Sequence, residues 1–168
     1  FSAGNGRKSI SFGFDNLNIV ETFGMNSRLV FPFRRIEKLR DIPKEKWRAS
    51  GMLTYVNQLF PNTRLATLSS HSLLVILEPL SVNQSRWVIY RLQPPDASNS
   101  PKDLEKSKKD AAFVKDTGVI EDRAAACSIH AGMLGQGNTH FTFGRYEKAA
   151  VHHHQNLRAH LDKLLSML

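Results

Sequence analysis

The first half of the chain alternates apolar and polar residues in short runs that are typical of β-strands. SISFGFD from Ser9, NIVETF from Asn18 and RLVFPF from Arg28 come first, and MLTYVNQLF, TRLATLSS, HSLLVILEPL and SRWVIYRLQP follow from Gly51. Turns of only a few residues separate the later runs, and such turns join antiparallel neighbours because a parallel pair needs a crossover of a dozen or more residues. The pattern therefore predicts an antiparallel meander of about six or seven strands.

The second half changes to helical spacing. A polar connector, RRIEKLRDIPKEKWRA, precedes the later strands, and its Pro43 suits an early helical position, so we expect one or two short helices there. After the breaker PPDASNSP come the charged helix KDLEKSKKDAAFVKDTG, a helix over residues 119–133 and the glycine-rich GMLGQGNTHFTFG. Residues 146–168 carry leucines at helical spacing and predict a long amphipathic helix. Strands followed by helices indicate an α+β domain.

Neither alternating set of residues in SRWVIYRL is strongly polar. A strand of this kind is covered on both faces when it lies inside a fold. We therefore expect a helix over one face of the sheet.

Residues 119–133, VIEDRAAACSIHAGM, place a carboxylate on an apolar side of a helix. At helical spacing Asp122 shares a stripe with Ala126, Ile129 and Met133. A carboxylate buried under such a stripe is unfavourable unless a cation, a metal or hydrogen-bond donors meet it. Two interpretations remain open: Asp122 points inward toward a partner, or it caps free backbone amides at the start of the helix.

Length and composition predict one domain. The chain has 168 residues, 41% of them hydrophobic, which is enough for one core. No apolar stretch approaches the ~20 residues that span a bilayer, so we expect no membrane partner. The single cysteine, Cys127, excludes a disulfide framework, a cysteine zinc site and a cysteine-held iron–sulfur cluster within this sequence, which favours the cytosol or an organelle interior, and of the two we expect a cytoplasmic location. Cys127 lies next to the apolar stripe without a nearby basic partner, which predicts a buried thiol. The start at Phe1 favours a piece of a longer chain.

The charge, the histidines and the sequence motifs limit the classes of function that the sequence supports. The formal charge is +8, but the 23 lysines and arginines are scattered, which favours solvated faces over a nucleic-acid partner. His152, His153 and His154 diverge by roughly 100° per residue on a helix and cannot share one metal ion, so we expect His153 in the core. His71 is a candidate pocket residue. Hydrolase and phosphate-binding motifs are missing, since no G-x-S-x-G elbow occurs and GQGNTHFTFG lacks the P-loop lysine.

Three segments together resemble a known family. LFPNTRLATLSSHSLLVILEPLSVNQSRWVIYRL, GVIEDRAAACSIHAGM and HFTFGRYEKAAVHHHQNL are similar, in order and spacing, to the catalytic domain of the α subunit of Rieske-type non-haem iron ring-hydroxylating oxygenases. The resemblance implies a helix-grip fold, an antiparallel sheet wrapped around a long C-terminal helix. It also implies that residues 1–168 form the C-terminal catalytic domain of a truncated α subunit.

The resemblance further implies cofactors and partners. The family holds mononuclear Fe(II) with two histidines and one carboxylate, and the carboxylate falls on Asp122, with Glu121 as second choice. We expect His71, Ala126 and Ile129 to line the apolar substrate pocket. The two histidine ligands and the 2Fe–2S Rieske cluster fall outside this sequence. An aromatic or related apolar substrate, dioxygen, a reductase or ferredoxin electron donor and a homotrimer are implied as partners.

The sequence also departs from the family pattern. His130 stands where the family often has glutamine, and His153 stands where an aromatic residue is usual. A pocket that has lost catalytic constraint would carry such changes. The alternative function is therefore a helix-grip domain that binds a hydrophobic ligand without redox chemistry.

Overall fold

The fold is built on one antiparallel sheet. The computed structural model describes residues 19–49, 51–68, 71–93, 100–101, 104–105, 108–109, 112, 117–137 and 140–167. The strands are β1 (Ile19–Phe23), β2 (Asn26–Pro32), β3 (Leu53–Leu59), β4 (Thr63–Thr67), β5 (Ser72–Ser81) and β6 (Gln84–Leu92). Each pairs with the next in chain order, and every pair is antiparallel. The predicted meander is confirmed, while the run from Ser9 lies outside the described residues.

Helices occupy the connector and the second half, as predicted. Two short 3-10 helices, Arg34–Asp41 and Lys44–Lys46, fill the connector, and Pro43 immediately precedes the second. A π-helical turn, Thr117–Asp122, leads into helix α1, Arg123–Leu134. Helix α2, Lys148–Leu165, is the long C-terminal helix. The described residues of the charged segment, Pro101, Leu104, Glu105, Lys108, Lys109 and Ala112, are also helical.

The register of the strands defines the face of the sheet that meets α2. Leu29, Val56, Ala66 and Leu73 are successive partners across β2 to β5, so their side chains share one face, called the helix face below. Helix α2 packs on this face against β2 and β1. The α+β helix-grip architecture is therefore confirmed.

The expectation that both faces of β6 are covered is wrong for the described residues. Trp87 and Ile89, on the helix face, are 42% and 57% exposed, and Tyr90 and Leu92, on the opposite face, are 52% and 45% exposed. The physical reason is the position of α2, which lies against β1 and β2 at the far edge of the sheet. Alternation along a strand shows which residues share a face, but not what covers that face.

The buried part of the sheet is unusually polar on its helix face. Among the described residues, the buried hydrophobic side chains are Val30, Leu39, Leu73 and Ala149. The buried polar side chains are Ser27, Thr54, Gln58 and His71. All four polar residues occupy helix-face positions of the strands or, for His71, the residue before β5 at the same alternation. Buried polar groups are more informative than exposed apolar ones, so they direct attention to the space under α2.

Within the described residues, none of the helices combines the length and the apolar character needed to cross a bilayer.

Candidate functional site

A cavity of about 340 Å³ lies between the helix face of the sheet and the start of α2. This volume falls within the range of about 300–1,000 Å³ that is usual for small-molecule sites. Its lining residues are Leu29, Phe31, Val56, Gln58, Arg64, Tyr146, Glu147, Ala149, Ala150, His153 and His154. The cavity therefore combines an apolar wall with a few polar groups, which is the composition expected of a ligand site.

Gln58 and His153 join the sheet to the helix beside this cavity. The Gln58 side chain is buried on β3, and its amide nitrogen donates a hydrogen bond to Nδ1 of His153 on α2. Burial lowers the pKa of His153 below its ordinary value, and the nearby charges of His154, Arg64 and His152 lower it further. Both effects favour the neutral ring, and a neutral ring whose Nδ1 accepts from Gln58 carries its proton on Nε2.

The three consecutive histidines of α2 contact three different partners, as their helical divergence predicts. The imidazole Nε2 of His152 donates to the carbonyl oxygen of Gly24, 3.0 Å away in the turn between β1 and β2. His153 bonds Gln58, while the ring of His154 lies 5.5 Å from that of Phe143. His153 is half-buried rather than fully inside the core. The three residues together attach the first turns of α2 to their surroundings.

Two charged side chains line the cavity. Arg64 projects from the helix face of β4 and is exposed, and within the described part of the chain no carboxylate lies within ion-pair distance of it. Glu147 immediately precedes α2, and its carboxylate accepts the backbone N–H of Gly144. The guanidinium group of Arg64 is therefore accessible to a ligand, whereas the carboxylate of Glu147 already accepts a hydrogen bond.

Asp122 is exposed, and neither interpretation of it from the sequence agrees with its surroundings. It is the last residue of the π-helical turn, has helical backbone angles, and makes no side-chain capping hydrogen bond to α1. The prediction that Asp122 points inward is wrong, because the described residues do not cover the side of the helix that carries Asp122, Ile129 and Met133. Ile129 is 56% exposed and Met133 is 46% exposed.

None of the three predicted pocket residues, His71, Ala126 and Ile129, lines a cavity described here. His71 is 2% exposed in the sheet, whereas Ala126 and Ile129 are exposed on α1. The cavity under α2 and a smaller one beside it, near Pro61, are lined by neither α1 nor His71. Cys127, expected to be buried, is exposed for the same reason as its neighbours on α1.

The residues present do not by themselves form an iron site of the expected kind. Among the described residues, no group of three or more histidine, cysteine, aspartate or glutamate side chains converges closely enough to hold a metal ion. Two histidines and one carboxylate are needed for a facial triad, and Asp122 supplies at most the carboxylate. Any complete site therefore needs ligands from outside the described residues.

Sequence reasoning missed Gln58 and Arg64 as site residues. Both lie at helix-face positions and are register partners across β3 and β4. The available signal was a polar residue in phase with the inward apolar residues of its strand, as Gln58 is with Val56. A polar residue at such an inward-facing position either destabilises the core or belongs to a binding site.

Comparison with known proteins yields one family. The model of the family described as "Ring hydroxylating alpha subunit (catalytic domain)" matches residues 27–163. This range includes nearly all of β2, strands β3 to β6, helix α1 and nearly all of α2. No curated protein and no solved structure matches the chain.

Proposed function

The chain belongs to the family of ring-hydroxylating α subunits through their catalytic domain, and from this premise we propose that it hydroxylates an aromatic or related apolar substrate with dioxygen as part of an iron-dependent oxygenase. The family identifies the parent protein as an oxidoreductase. The observation that carries the proposal is the family match over residues 27–163, which includes nearly all of β2, strands β3 to β6, helix α1, nearly all of α2 and every residue that lines the cavity.

We assign to Asp122 the role of the carboxylate ligand of a mononuclear Fe(II), with Glu121 as second choice. The similarity of GVIEDRAAACSIHAGM to the family supports this role. Its position supports the role as well, because Asp122 ends a π-helical turn and such turns are frequent at functional sites. Its exposure leaves the carboxylate accessible to ligands from other residues.

The remaining cofactor ligands would belong to other parts of a longer α subunit. A Rieske 2Fe–2S cluster needs two cysteines and two histidines, and this sequence has Cys127 alone. The proposed arrangement makes residues 1–168 the C-terminal catalytic domain. A reductase or ferredoxin as electron donor, a homotrimeric assembly and a cytoplasmic location complete the proposal on the same family basis.

The test is turnover by a full-length α subunit that contains this domain. The subunit, loaded with iron and supplied with a reductase, is incubated with a panel of monocyclic and bicyclic aromatic compounds under isotopically labelled dioxygen. Mass spectrometry should detect labelled oxygen in at least one product. If an iron-loaded subunit with a reducible cluster incorporates no label into any compound, the proposal is contradicted.

A second candidate function, ligand binding without redox chemistry, is favoured by the cavity under α2. The cavity is of ligand size and is lined by residues of the sheet, of α2 and of the two positions before α2. Tight binding of a small molecule to a full-length subunit that neither holds iron nor consumes dioxygen would select this function.

A further inference from the structure

The cavity under α2 has an apolar end and a polar end. On the sheet, Leu29 of β2 and Val56 of β3 are direct partners, and Phe31 follows Leu29 at the next position on the same face. Gln58 and Arg64 are also partners, and lie one position beyond Val56 in the other direction. Two residues of a strand span about 7 Å. The apolar wall and the Gln58–Arg64 pair are therefore separated along the strand direction.

On the helix side of the cavity, His153 and Glu147 lie apart. His153 bonds Gln58 and so marks the polar end, whereas Ala149 lies one turn earlier. Glu147 precedes His153 by six residues, which is about 9 Å along a helix. The carboxylate of Glu147 is also occupied by the Gly144 backbone. The charge of Arg64 is thus left without a carboxylate among the described residues that line the cavity.

We propose that this cavity binds a small amphiphilic carboxylate, with its apolar body against Leu29, Phe31 and Val56 and its charge at Arg64. The guanidinium group of Arg64 provides a fork of N–H donors that matches a carboxylate. His153, which bonds Gln58, also lines this end of the cavity. The apolar wall favours a hydrocarbon or aromatic body, because removing such a group from water is favourable.

The site differs from the iron site proposed above. No residue of α1 or of the π-helical turn lines the cavity. Binding therefore needs neither Asp122 nor a metal, and the proposal can fail or succeed without deciding whether the protein is an oxygenase.

Three probes with one apolar body test the charge preference. Phenylbutyrate, phenylbutanamide and phenylbutylamine carry an anionic, a neutral and a cationic end on the same chain. Calorimetric titration of the protein at low salt and near neutral pH should show phenylbutyrate binding about tenfold tighter than either of the others, a difference of about 1.4 kcal/mol. Equal or tighter binding of phenylbutylamine would overturn the proposal, because Glu147 would then dominate the site.

Matched variants locate the bound probe. Arg64→Gln should remove most of the preference for phenylbutyrate. Arg91→Gln is the control, since Arg91 is also exposed on the helix face, on β6, but does not line the cavity. Ala150→Phe should abolish binding of all three probes by filling the space, and Val56→Phe is the second filling variant if the first disturbs the helix seen by circular dichroism. The proposal fails if both arginine variants act alike, or if a folded, filled variant still binds phenylbutyrate normally.

Discussion

His153 is the residue whose ionisation bears most directly on stability. Burial lowers its pKa in the native protein from the ordinary value of 6.5. As the pH falls below about 6.5, the unfolded chain takes up a proton that the native state resists. The stabilising contribution of neutral His153 is therefore complete above that pH and declines as the pH falls toward the lowered native pKa.

Replacing His153 should consequently flatten the acid limb of the stability curve. His153→Asn removes the titrating ring, so the free energy of unfolding should decline less between about pH 7 and pH 5 than in the unmodified protein. Urea unfolding at several pH values measures this slope. An unchanged slope in His153→Asn would show that the native state does not hold this histidine neutral.

Asp122 allows a second prediction at the level of single residues. Because Asp122 is exposed and makes no capping hydrogen bond, Asp122→Ala should change the free energy of unfolding by less than about 0.5 kcal/mol. In a full-length α subunit the same change should remove mononuclear iron and hydroxylation while the Rieske absorbance remains. Metal analysis, turnover and thermal melting on one preparation provide the three measurements.

The neighbouring carboxylate provides the control for that experiment. Glu121 is also exposed and belongs to the same π-helical turn, so Glu121→Ala should retain iron and turnover if Asp122 is the ligand. The opposite result, in which iron follows Glu121, would move the assignment to the second choice. If both variants keep iron and turnover, neither Asp122 nor Glu121 is a ligand.

At the scale of single elements, the hairpin of β1 and β2 depends on Gly24. Its φ of +58° lies in the left-handed region that favours glycine, and an added Cβ would contact nothing within 4 Å. The cost of Gly24→Ala is therefore conformational, and we expect the free energy of unfolding to fall by about 1–2 kcal/mol. Gly24→Asn should cost less because asparagine tolerates this conformation better. Equal losses in chemical denaturation would contradict the conformational explanation.

The elements themselves were predictable from local pattern, whereas the surroundings of α1 were not. Short turns and alternation specify antiparallel strands, because both are properties of a few consecutive residues. Helical spacing correctly grouped Asp122 with Ile129, but spacing does not reveal whether another element covers that side. The same limit explains Trp87, whose strand was predicted and whose exposure was not. Gln58 was overlooked because its significance depends on pairing with Arg64 across two strands.

At the scale of the whole molecule, the packing between helix and sheet is unevenly distributed. Packing between α2 and the sheet is concentrated at the β1 and β2 edge. At the other edge, Ile89 of β6 remains more than half exposed, as does Ile129 of α1. The family match extends over both regions. The described residues thus include a part in which α2 packs on the sheet, which holds the cavity, and a part around α1, which holds Asp122.

This separation leads to a prediction for metal binding by the 168-residue chain. No group of three or more ligating side chains converges among its described residues, and a single carboxylate does not compete with water for Fe(II). After anaerobic loading with Fe(II) and dialysis, we expect the chain to retain far less than one iron per molecule. Asp122→Ala should retain the same small background. A full-length α subunit treated identically serves as the positive control for loading. One iron per chain that survives dialysis, and is lost in Asp122→Ala, would show that these residues complete a site without further ligands.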